Sequence, residues 1–315
     1  MPSPGDASAR LRAEMDAVAR AHGPWHSHNV YLGHGVWTIT DSQPTQNSHL
    51  RHVLQQAADA VRVPLEGLRV LDLACEEGGY SIEFARHGAR VVGVEGRPDN
   101  VARGRWAAEA AGTADCEFLH ADVREIDRAG LGGFDLVLNL GILYHLDAPD
   151  LFAFSERIAE MCDGVMILST HYARWPLFRR RYGGRTYRGA LFSEHRPSDS
   201  PAERVAHRRA SLDNTQSFWL TRASLVNLLA DVGFTSVAET VIPCAAPGEA
   251  PGNLWEGVAW KGRRIEVPTS SRAPVPPEPR HAELERPRPH PSQTALGQLR
   301  DVARSRGLVE RLRRR

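Results

Sequence analysis

The sequence predicts an α/β fold in which a mostly parallel sheet carries helices on both faces. Two observations lead to this prediction. Short apolar runs alternate with helical patterns between residues 64 and 264, as they do in chains of strand–helix–strand units. Residues 69–100 also show strand, glycine turn, helix, strand and acid in that order, which is typical of a nucleotide-binding crossover.

This crossover starts with an apolar run at residues 70–74, which is short enough for a strand buried in a parallel sheet. A turn containing Gly78 and Gly79 follows, and glycine allows a ligand to approach the backbone without meeting a Cβ. A second apolar run, residues 91–94, ends in Glu95. The carboxylate of Glu95 can accept hydrogen bonds from both hydroxyls of a ribose.

The first turn distinguishes two kinds of cofactor. A dinucleotide fold needs G-x-G-x-x-G there, with backbone amides on a pyrophosphate. Residues 74–79 instead read Ala-Cys-Glu-Glu-Gly-Gly, so the turn is poor in glycine and two carboxylates would face a phosphate. The turn therefore favours a ligand without a phosphate over NAD or FAD.

Five further strands are predicted along the chain, which makes seven in all. They span residues 116–120, 134–140, 164–170, 236–242 and 254–260. Two helices are predicted before the first strand, at residues 7–21 and 47–62. Two more are predicted between later strands, at residues 98–111 and 149–161. A last helix follows Thr221, whose hydroxyl suits an N-cap.

These motifs resemble those of class I S-adenosylmethionine (SAM)-dependent methyltransferases. In that family an acid is followed by G-x-G-x-G. Asp72 and Gly78 keep their places here, while Ala74 and Glu76 replace the first two glycines. The resemblance implies a Rossmann-like seven-stranded sheet with an antiparallel edge pair, an N-terminal extension, an inserted cap after the fifth strand, and SAM as cofactor.

The resemblance also implies a set of cofactor contacts. Glu95 is expected to bind the ribose, and Asp122 the adenine amino group. An N-cap for the following short helix is an alternative or additional role for Asp122. The full expected set is Asp72, Ala74, Glu76, Gly78, Glu95, Gly96, Asp122, Val123 and Asn139.

A second motif, Leu-Tyr-His at residues 143–145, follows the fourth strand of the crossover domain. Ligands of parallel α/β sheets bind beyond the carboxyl ends of the strands, so this motif is placed near the transferred group. His145 is a candidate general base, with a structural role as the alternative. Tyr144 is a candidate wall of the cofactor site or a hydrogen-bond donor to substrate. The motif resembles tRNA wobble-uridine carboxymethyltransferases and many small-molecule methyltransferases.

Residues 24–53 are unusually rich in aromatic and histidine side chains. They form either a lid that contacts substrate or a hairpin that covers one end of the sheet. Three of them are candidate substrate contacts: Trp25, His28 and Trp37. His26-x-His28 has no cysteine or acid at ligand spacing, so no metal site is predicted. Residues 25–38 resemble the segment that precedes the domain in the wobble-uridine enzymes, and Arg51 is either a contact to the cofactor carboxylate or solvated.

The predicted organisation has three parts: a helical and lid extension at residues 1–63, the SAM-binding domain at 64–264, and a Pro-rich linker with a basic amphipathic tail at 265–315. The domain includes an insertion at residues 171–218, here called the cap, which is rich in arginine. Arg185 of the cap is a candidate substrate contact. The arginines suit an acidic, phosphorylated or nucleic-acid substrate, or they pair with Glu194 and Glu203 in a solvated loop.

The composition of the chain limits the classes of partner that it is expected to bind. The 39 Lys and Arg residues balance 38 Asp and Glu residues, so the net charge of +1 exerts no general attraction to nucleic acid or membrane. The four cysteines form no C-x-x-C pair and are expected to be reduced thiols of a cytoplasmic protein. No apolar run is long enough for a bilayer, and the N-terminus lacks the apolar region of a secretion signal, so neither feature is expected. The tail is expected to be a solvated, frayed end, with a contact to a partner, to a second copy in a homodimer or to nucleic acid as the alternatives.

The leading functional prediction is a SAM-dependent methyltransferase that acts on an oxygen of a small molecule, such as a sugar or secondary metabolite. The alternative is a tRNA wobble-uridine carboxymethyltransferase, which would make nucleic acid the partner. That activity needs a basic residue for an extra carboxylate, and residues 1–63 contain no lysine. A third reading is a regulator that binds SAM without turnover.

Overall fold

The structure is a computed structural model that describes residues 4–39, 46–241, 253–265 and 280–282. The chain divides into two compact units, Met1–Pro277 and Glu278–Arg315, and every element below belongs to the first. In chain order the elements are α1 (Pro4–His22), β1 (Tyr31–Gly33), β2 (Val36–Trp37), α2 (Gln46–Val61), β3 (Arg69–Leu73), α3 (Gly79–Arg86), β4 (Arg90–Glu95), α4 (Pro98–Ala110), β5 (Cys116–His120), α5 (Arg128–Leu131), β6 (Phe134–Leu140), a 3₁₀ turn (Leu143–His145), α6 (Asp150–Met161), β7 (Cys162–His171), β8 (Phe178–Tyr182), β9 (Arg185–Ser193), α7 (Pro201–Ala206), β10 (Gln216–Leu220), α8 (Arg222–Asp231), β11 (Ser236–Glu239) and β12 (Leu254–Trp260).

A seven-stranded sheet forms the centre of this unit, with the strand order β11-β12-β7-β6-β3-β4-β5. The five strands from β7 to β5 in this order are parallel. The strands β12 and β11 complete the sheet as an antiparallel edge pair. This architecture confirms the predicted Rossmann-like seven-stranded fold.

The two faces of the sheet bury different sets of side chains. On β6, Leu136 and Leu138 pack with α2 and α3 residues such as Val53 and Phe84, because alternate residues of a strand point to opposite faces. Val137 points to the other face, where it joins the phenylalanines of α6 and the leucines of α8. Burial on both faces explains why the central strands read as nearly continuous apolar runs.

The cap contains more regular structure than the sequence indicated. Strands β8, β9 and β10 form an antiparallel sheet in the order β10-β9-β8. Residues 217–220 were expected to open the helix that follows, but they pair with β9, Phe218 opposite Leu191. The predicted N-cap is confirmed, since the Thr221 hydroxyl accepts a hydrogen bond from the Ser224 amide at 3.2 Å. The local sequence shows the cap residue, whereas the strand before it depends on a distant partner.

Some predicted segments lie outside the described residues. These are the amphipathic tail helix of residues 294–315, nearly all of the Pro-rich linker, and the last residue predicted for β11. Within the described ranges, no helix combines the length and the apolar character that a bilayer span requires.

The N-terminal segment is tied to the first turn of the sheet by one carboxylate. Glu77 is completely buried, and it accepts hydrogen bonds from the backbone amides of His26, Ser27 and His28 at 3.0–3.1 Å. It also forms an ion pair at 3.3 Å with the buried guanidinium of Arg103 on α4. The carboxylate therefore joins the extension, the first turn and α4.

Replacing this carboxylate should destabilise the whole unit. We expect Glu77→Ala to lower the free energy of unfolding by about 3 kcal/mol or more, because Arg103 would be left buried and unpaired. Denaturant unfolding followed by circular dichroism measures this change. The control is Glu109→Ala, an exposed position on α4 that should change the value by less than about 0.5 kcal/mol. Equal stabilities of the two variants would contradict the role assigned to Glu77.

Candidate functional site

A cavity of about 590 Å³ opens at the carboxyl ends of β3, β4 and β6. In open α/β sheets this is the edge where ligands bind. The residues that line it from the sheet are Asp72, Ala74, Cys75, Glu76, Glu95, Gly96, Val123, Leu140, Gly141, Tyr144 and His145. Residues 208–212, Phe192 and Trp219 close it from the side of the cap and β10.

The first turn keeps the backbone path that a glycine-rich loop would have. Ala74, Glu76 and Gly78 all have positive φ angles, of 52°, 50° and 76°. The two residues that replace family glycines thus adopt the left-handed conformation, at a cost of about 1–2 kcal/mol each. Gly78, in contrast, cannot be replaced by a residue with a side chain, because a Cβ there would overlap the ring of Phe118. Gly78 therefore shapes the turn from behind and does not line the cavity.

Glu95 ends β4 with its carboxylate at the cavity, and the residue is 3 % exposed. Its oxygens accept hydrogen bonds from the amides of Glu76 at 3.0 Å and Arg97 at 2.8 Å. Burial raises the pKa of Glu95, although these amides and the Arg97 charge oppose the rise. Each oxygen keeps a further lone pair, so the group can accept two more hydrogen bonds from a diol.

Asp72 lies on β3 at the floor of the same cavity and accepts a hydrogen bond from the Ser81 hydroxyl at 2.6 Å. Burial raises the pKa of Asp72 to about 7, and the nearby carboxylates of Glu76 and Glu95 add to the rise while Ser81 opposes it. Three carboxyl groups at one end of a cavity suit a cationic ligand and repel a phosphate.

Across the cavity, the 3₁₀ turn after β6 presents Tyr144 and His145. The Nδ1 atom of His145 lies 2.9 Å from the carboxylate of Glu194, a residue that follows β9 in the cap. The indole N–H of Trp219 donates to the Tyr144 carbonyl at 2.8 Å. Sequence reasoning treated Glu194 only as a partner for arginines, and no local pattern around it indicates a contact with a histidine 49 residues earlier.

An aromatic wall stands beside this turn. The rings of Phe192 and Trp219 stack with centroids 4.4 Å apart, and Trp219 stacks on His171 at 5.0 Å. Tyr144 meets the edge of His171 at 4.7 Å. All four rings line the cavity. The cavity thus has an acidic half and an aromatic half with an imidazole, and Arg97, Arg208 and Arg209 also line it.

Several predicted site residues do not line this cavity. Both oxygens of Asp122 accept hydrogen bonds from Arg124 at 2.6–3.0 Å, and the Arg124 amide donates to one of them. Burial alone would raise the pKa of Asp122, but these hydrogen bonds and the Arg124 charge outweigh burial and lower that pKa. Asn139 is buried inside the sheet, where its Oδ1 has no partner among the described residues. Val123 lines the cavity in place of its neighbour Asp122.

The four candidate substrate contacts also divide into residues that line this cavity and residues that do not. His28 lines the cavity, but Trp25 packs against Trp106 with ring centroids 5.4 Å apart. Arg185 forms an ion pair with Asp231 on α8. Trp37 lines a second cavity of about 470 Å³ under the β1–β2 hairpin. The structure therefore brings only His28 of these four to the main cavity.

The two cavities share a wall made of His28, His49 and Tyr80. His49 lies between the Tyr80 hydroxyl at 2.5 Å and the Glu256 carboxylate at 2.7 Å. Arg51 lines the second cavity and not the first, so it is not placed to meet a cofactor carboxylate in the main cavity. Over the described part of the chain, no three His, Cys, Asp or Glu side chains are grouped to hold a metal ion.

Part of the chain is similar to known proteins. Residues 70–163 match the family model described as a methyltransferase domain. The ubiquinone biosynthesis O-methyltransferase of Azorhizobium caulinodans is 38 % identical over 109 residues, which are 34 % of this chain and 42 % of that protein. The same enzyme of Rhodopseudomonas palustris strain TIE-1 is 32 % identical over 125 residues, 39 % and 47 % of the two chains. The chain thus spans less than half the length of these relatives.

Two solved structures extend the likeness over the fold. The N-terminal domain of EvdMO1, determined in the presence of S-adenosylhomocysteine (SAH) and D-fucose, is 25 % identical. It superposes with a TM-score of 0.60 over 80 % of this chain and 97 % of that one. Complete EvdMO1 is 22 % identical, with a TM-score of 0.53 over 79 % and 48 % of the two chains, and shows the fold alone.

The fold and the family match together identify residues 70–163 as part of a class I SAM-dependent methyltransferase domain, and SAM is the cofactor of that class. The narrower resemblance to tRNA wobble-uridine enzymes is not supported by these relatives.

Glu95 gives a direct test of the cofactor position. We expect Glu95→Gln to weaken SAM binding by about 100-fold, because a buried diol would lose a charged acceptor. Isothermal titration calorimetry measures the affinity, and Glu117→Gln on the exposed face of β5 is the control. Unchanged affinity in Glu95→Gln would show that the ribose does not lie at the end of β4.

The raised pKa of Asp72 predicts that the affinity for SAM depends on pH. Because its folded-state pKa of about 7 lies above the ordinary value of 3.8, the free protein holds this proton up to neutral pH. The stability that this proton confers is lost as the pH rises from about 4 through 7. We expect the affinity for cationic SAM to rise by up to about tenfold from pH 6 to pH 8, as the ionised carboxylate becomes available.

Calorimetry at the two pH values, repeated on Asp72→Asn, tests this prediction. The variant should bind SAM more weakly at pH 8 and lose most of the pH dependence. A variant that keeps the full dependence would assign the titration to another group.

Proposed function

We propose that this protein transfers the methyl group of SAM to a hydroxyl oxygen of a small molecule, with a sugar or a sugar-like secondary metabolite as the acceptor. The observation that carries the proposal is the imidazole of His145, which lines the same cavity as the carboxylate of Glu95. A hydroxyl is a weak nucleophile until its proton is removed, and a nearby imidazole is suited to accept that proton.

The residues of the acidic half fit the cofactor. Glu95 would accept hydrogen bonds from the ribose hydroxyls, and Gly96 and Val123, which line the cavity, would provide a wall for the adenine ring. Asp72 and Glu76 offer negative charge to the ammonium and sulfonium groups. When bound, the cofactor supplies an electrophilic methyl group with a good leaving group behind it.

The aromatic half fits an acceptor with a saturated ring. The exposed ring of Phe192, together with Trp219 and His171, offers flat faces on which the C–H groups of a sugar can pack. The similar EvdMO1 domain was determined in the presence of SAH and D-fucose, which supports a sugar as the class of acceptor. The curated relatives named O-methyltransferases support transfer to oxygen.

The residues then have separate tasks in the transfer. His145 accepts the hydroxyl proton of the acceptor at its Nε2 atom, and Tyr144 and the aromatic wall exclude water and fix the orientation. Holding both reactants in one enclosed cavity supplies the alignment that methyl transfer requires.

A turnover assay tests the proposal. The protein is incubated with SAM and a panel of free sugars that begins with D-fucose, and SAH formation is followed by mass spectrometry. We expect His145→Ala to lower kcat about 100-fold, the low end of what a positioned base contributes, with the affinity for SAM unchanged within about threefold. His87→Ala, an exposed histidine at the end of α3, is the matched control.

A loss of less than tenfold in His145→Ala would leave that residue a structural role. SAM binding without turnover of any sugar would contradict a sugar acceptor.

A further inference from the structure

The cap contributes one buried carboxylate to the surroundings of the cavity. The side chain of Glu194 is 1 % exposed, and it does not line the cavity. One of its oxygens contacts His145 Nδ1 at 2.9 Å and accepts from the Ser211 amide at 3.0 Å. The other accepts from the Ser217 hydroxyl at 2.7 Å. Both oxygens are therefore hydrogen-bonded, and the group is shielded from an acceptor molecule in the cavity.

The ionisation state of Glu194 determines which nitrogen of the His145 ring carries the proton. Burial acts to raise the pKa of Glu194, but the hydrogen bonds from His145, Ser217 and Ser211 outweigh it and lower the value. An ionised carboxylate can only accept a hydrogen bond, so the Nδ1 atom of His145 must carry the proton. The Nε2 atom then has a free lone pair, and it makes no hydrogen bond to the described residues.

We propose that Glu194 is a positioning residue that holds His145 as the Nδ1–H tautomer and stabilises the imidazolium formed when Nε2 takes the acceptor's proton. This role rests on the proposed function, because it gives His145 the form that a general base needs. The proton moves from the acceptor hydroxyl to Nε2, and the positive charge it brings is balanced by the carboxylate.

The two members of the pair come from different parts of the fold. His145 belongs to the turn after β6, whereas Glu194 belongs to the cap. Three hydrogen bonds join these parts next to the pair. They are from the Phe218 amide to the Leu146 carbonyl at 2.9 Å, from the Trp219 indole to the Tyr144 carbonyl at 2.8 Å, and from the Asn214 amide group to the His145 carbonyl at 3.0 Å. The base is therefore complete only when the cap is packed against the turn.

The first experiment does not need an acceptor. Nitrogen-15 NMR of the histidine rings, recorded at a pH where the ring is neutral and assigned with His145→Ala, reports which nitrogen carries the proton. We expect His145 of the wild type to be the Nδ1–H tautomer. In Glu194→Gln the side-chain amide can donate as well as accept, so the ring should become a mixture of tautomers.

Glu203→Gln is the control, since Glu203 is an exposed residue of the capping box of α7 in the same cap. It should leave the His145 spectrum unchanged. A wild-type ring protonated at Nε2, or a Glu194→Gln spectrum identical to that of the wild type, overturns the proposal.

The second experiment measures turnover of the sugar panel at saturating SAM. We expect Glu194→Gln to lower kcat by about 30-fold or more, while the KM for the acceptor and the affinity for SAM stay within about threefold. Ser217→Ala removes another hydrogen bond to the same carboxylate without touching His145. It should reduce kcat by less than about fivefold, whereas equal losses in both variants would show that Glu194 only supports the cap and would overturn the proposal.

The two experiments separate the possible failures. If the tautomers behave as expected but the wild type methylates no sugar, the pair stands and the proposed acceptor is wrong. If the wild type methylates a sugar and Glu194→Gln is fully active, the acceptor stands and the pair is wrong.

Discussion

The buried carboxylate of Glu77 is the contact on which the geometry of the site depends. It accepts three backbone hydrogen bonds from residues 26–28 and faces Arg103, so a single group fixes the N-terminal segment over the first turn. Its neighbour Glu76 points the other way, into the cavity. An unpaired buried charge is costly, and the turn therefore cannot move without breaking the whole set of contacts. This explains how a turn poor in glycine keeps a defined left-handed path.

The cavity has two chemically different halves, and they come from different levels of the fold. The acidic half is built from the ends of β3 and β4, which are neighbours in the sheet. The aromatic half needs β7, the end of β9, and β10 to meet at the turn that carries His145. The acidic half suits a cationic cofactor, and the aromatic half suits a neutral acceptor. The separation places His145 in the aromatic half, which the proposed function assigns to the acceptor.

Arg124 anchors the cap beside the end of β5. It pairs with Asp122 at 2.6 Å, with Asp213 of the cap at 2.7 Å, and with Asp150 at 3.2 Å. The acid expected to contact adenine is therefore part of a charge network that joins the strand end, the cap and α6. The network and the Glu194–His145 pair both attach the same cap to the central sheet.

The sequence by itself determined the chain order of the seven strands of the central sheet, the first crossover with Glu95 at its end, and the Thr221 cap, because each depends on local periodicity or on a contact a few residues away. It also placed His145 at the correct edge of the sheet. The tertiary structure decided which of Glu76 and Glu77 faces the cavity, whether Trp25 and Arg185 reach it, and that Glu194 meets His145. Those contacts join residues tens of positions apart. The packing of the folded chain determines these contacts, and a local sequence pattern does not predict them.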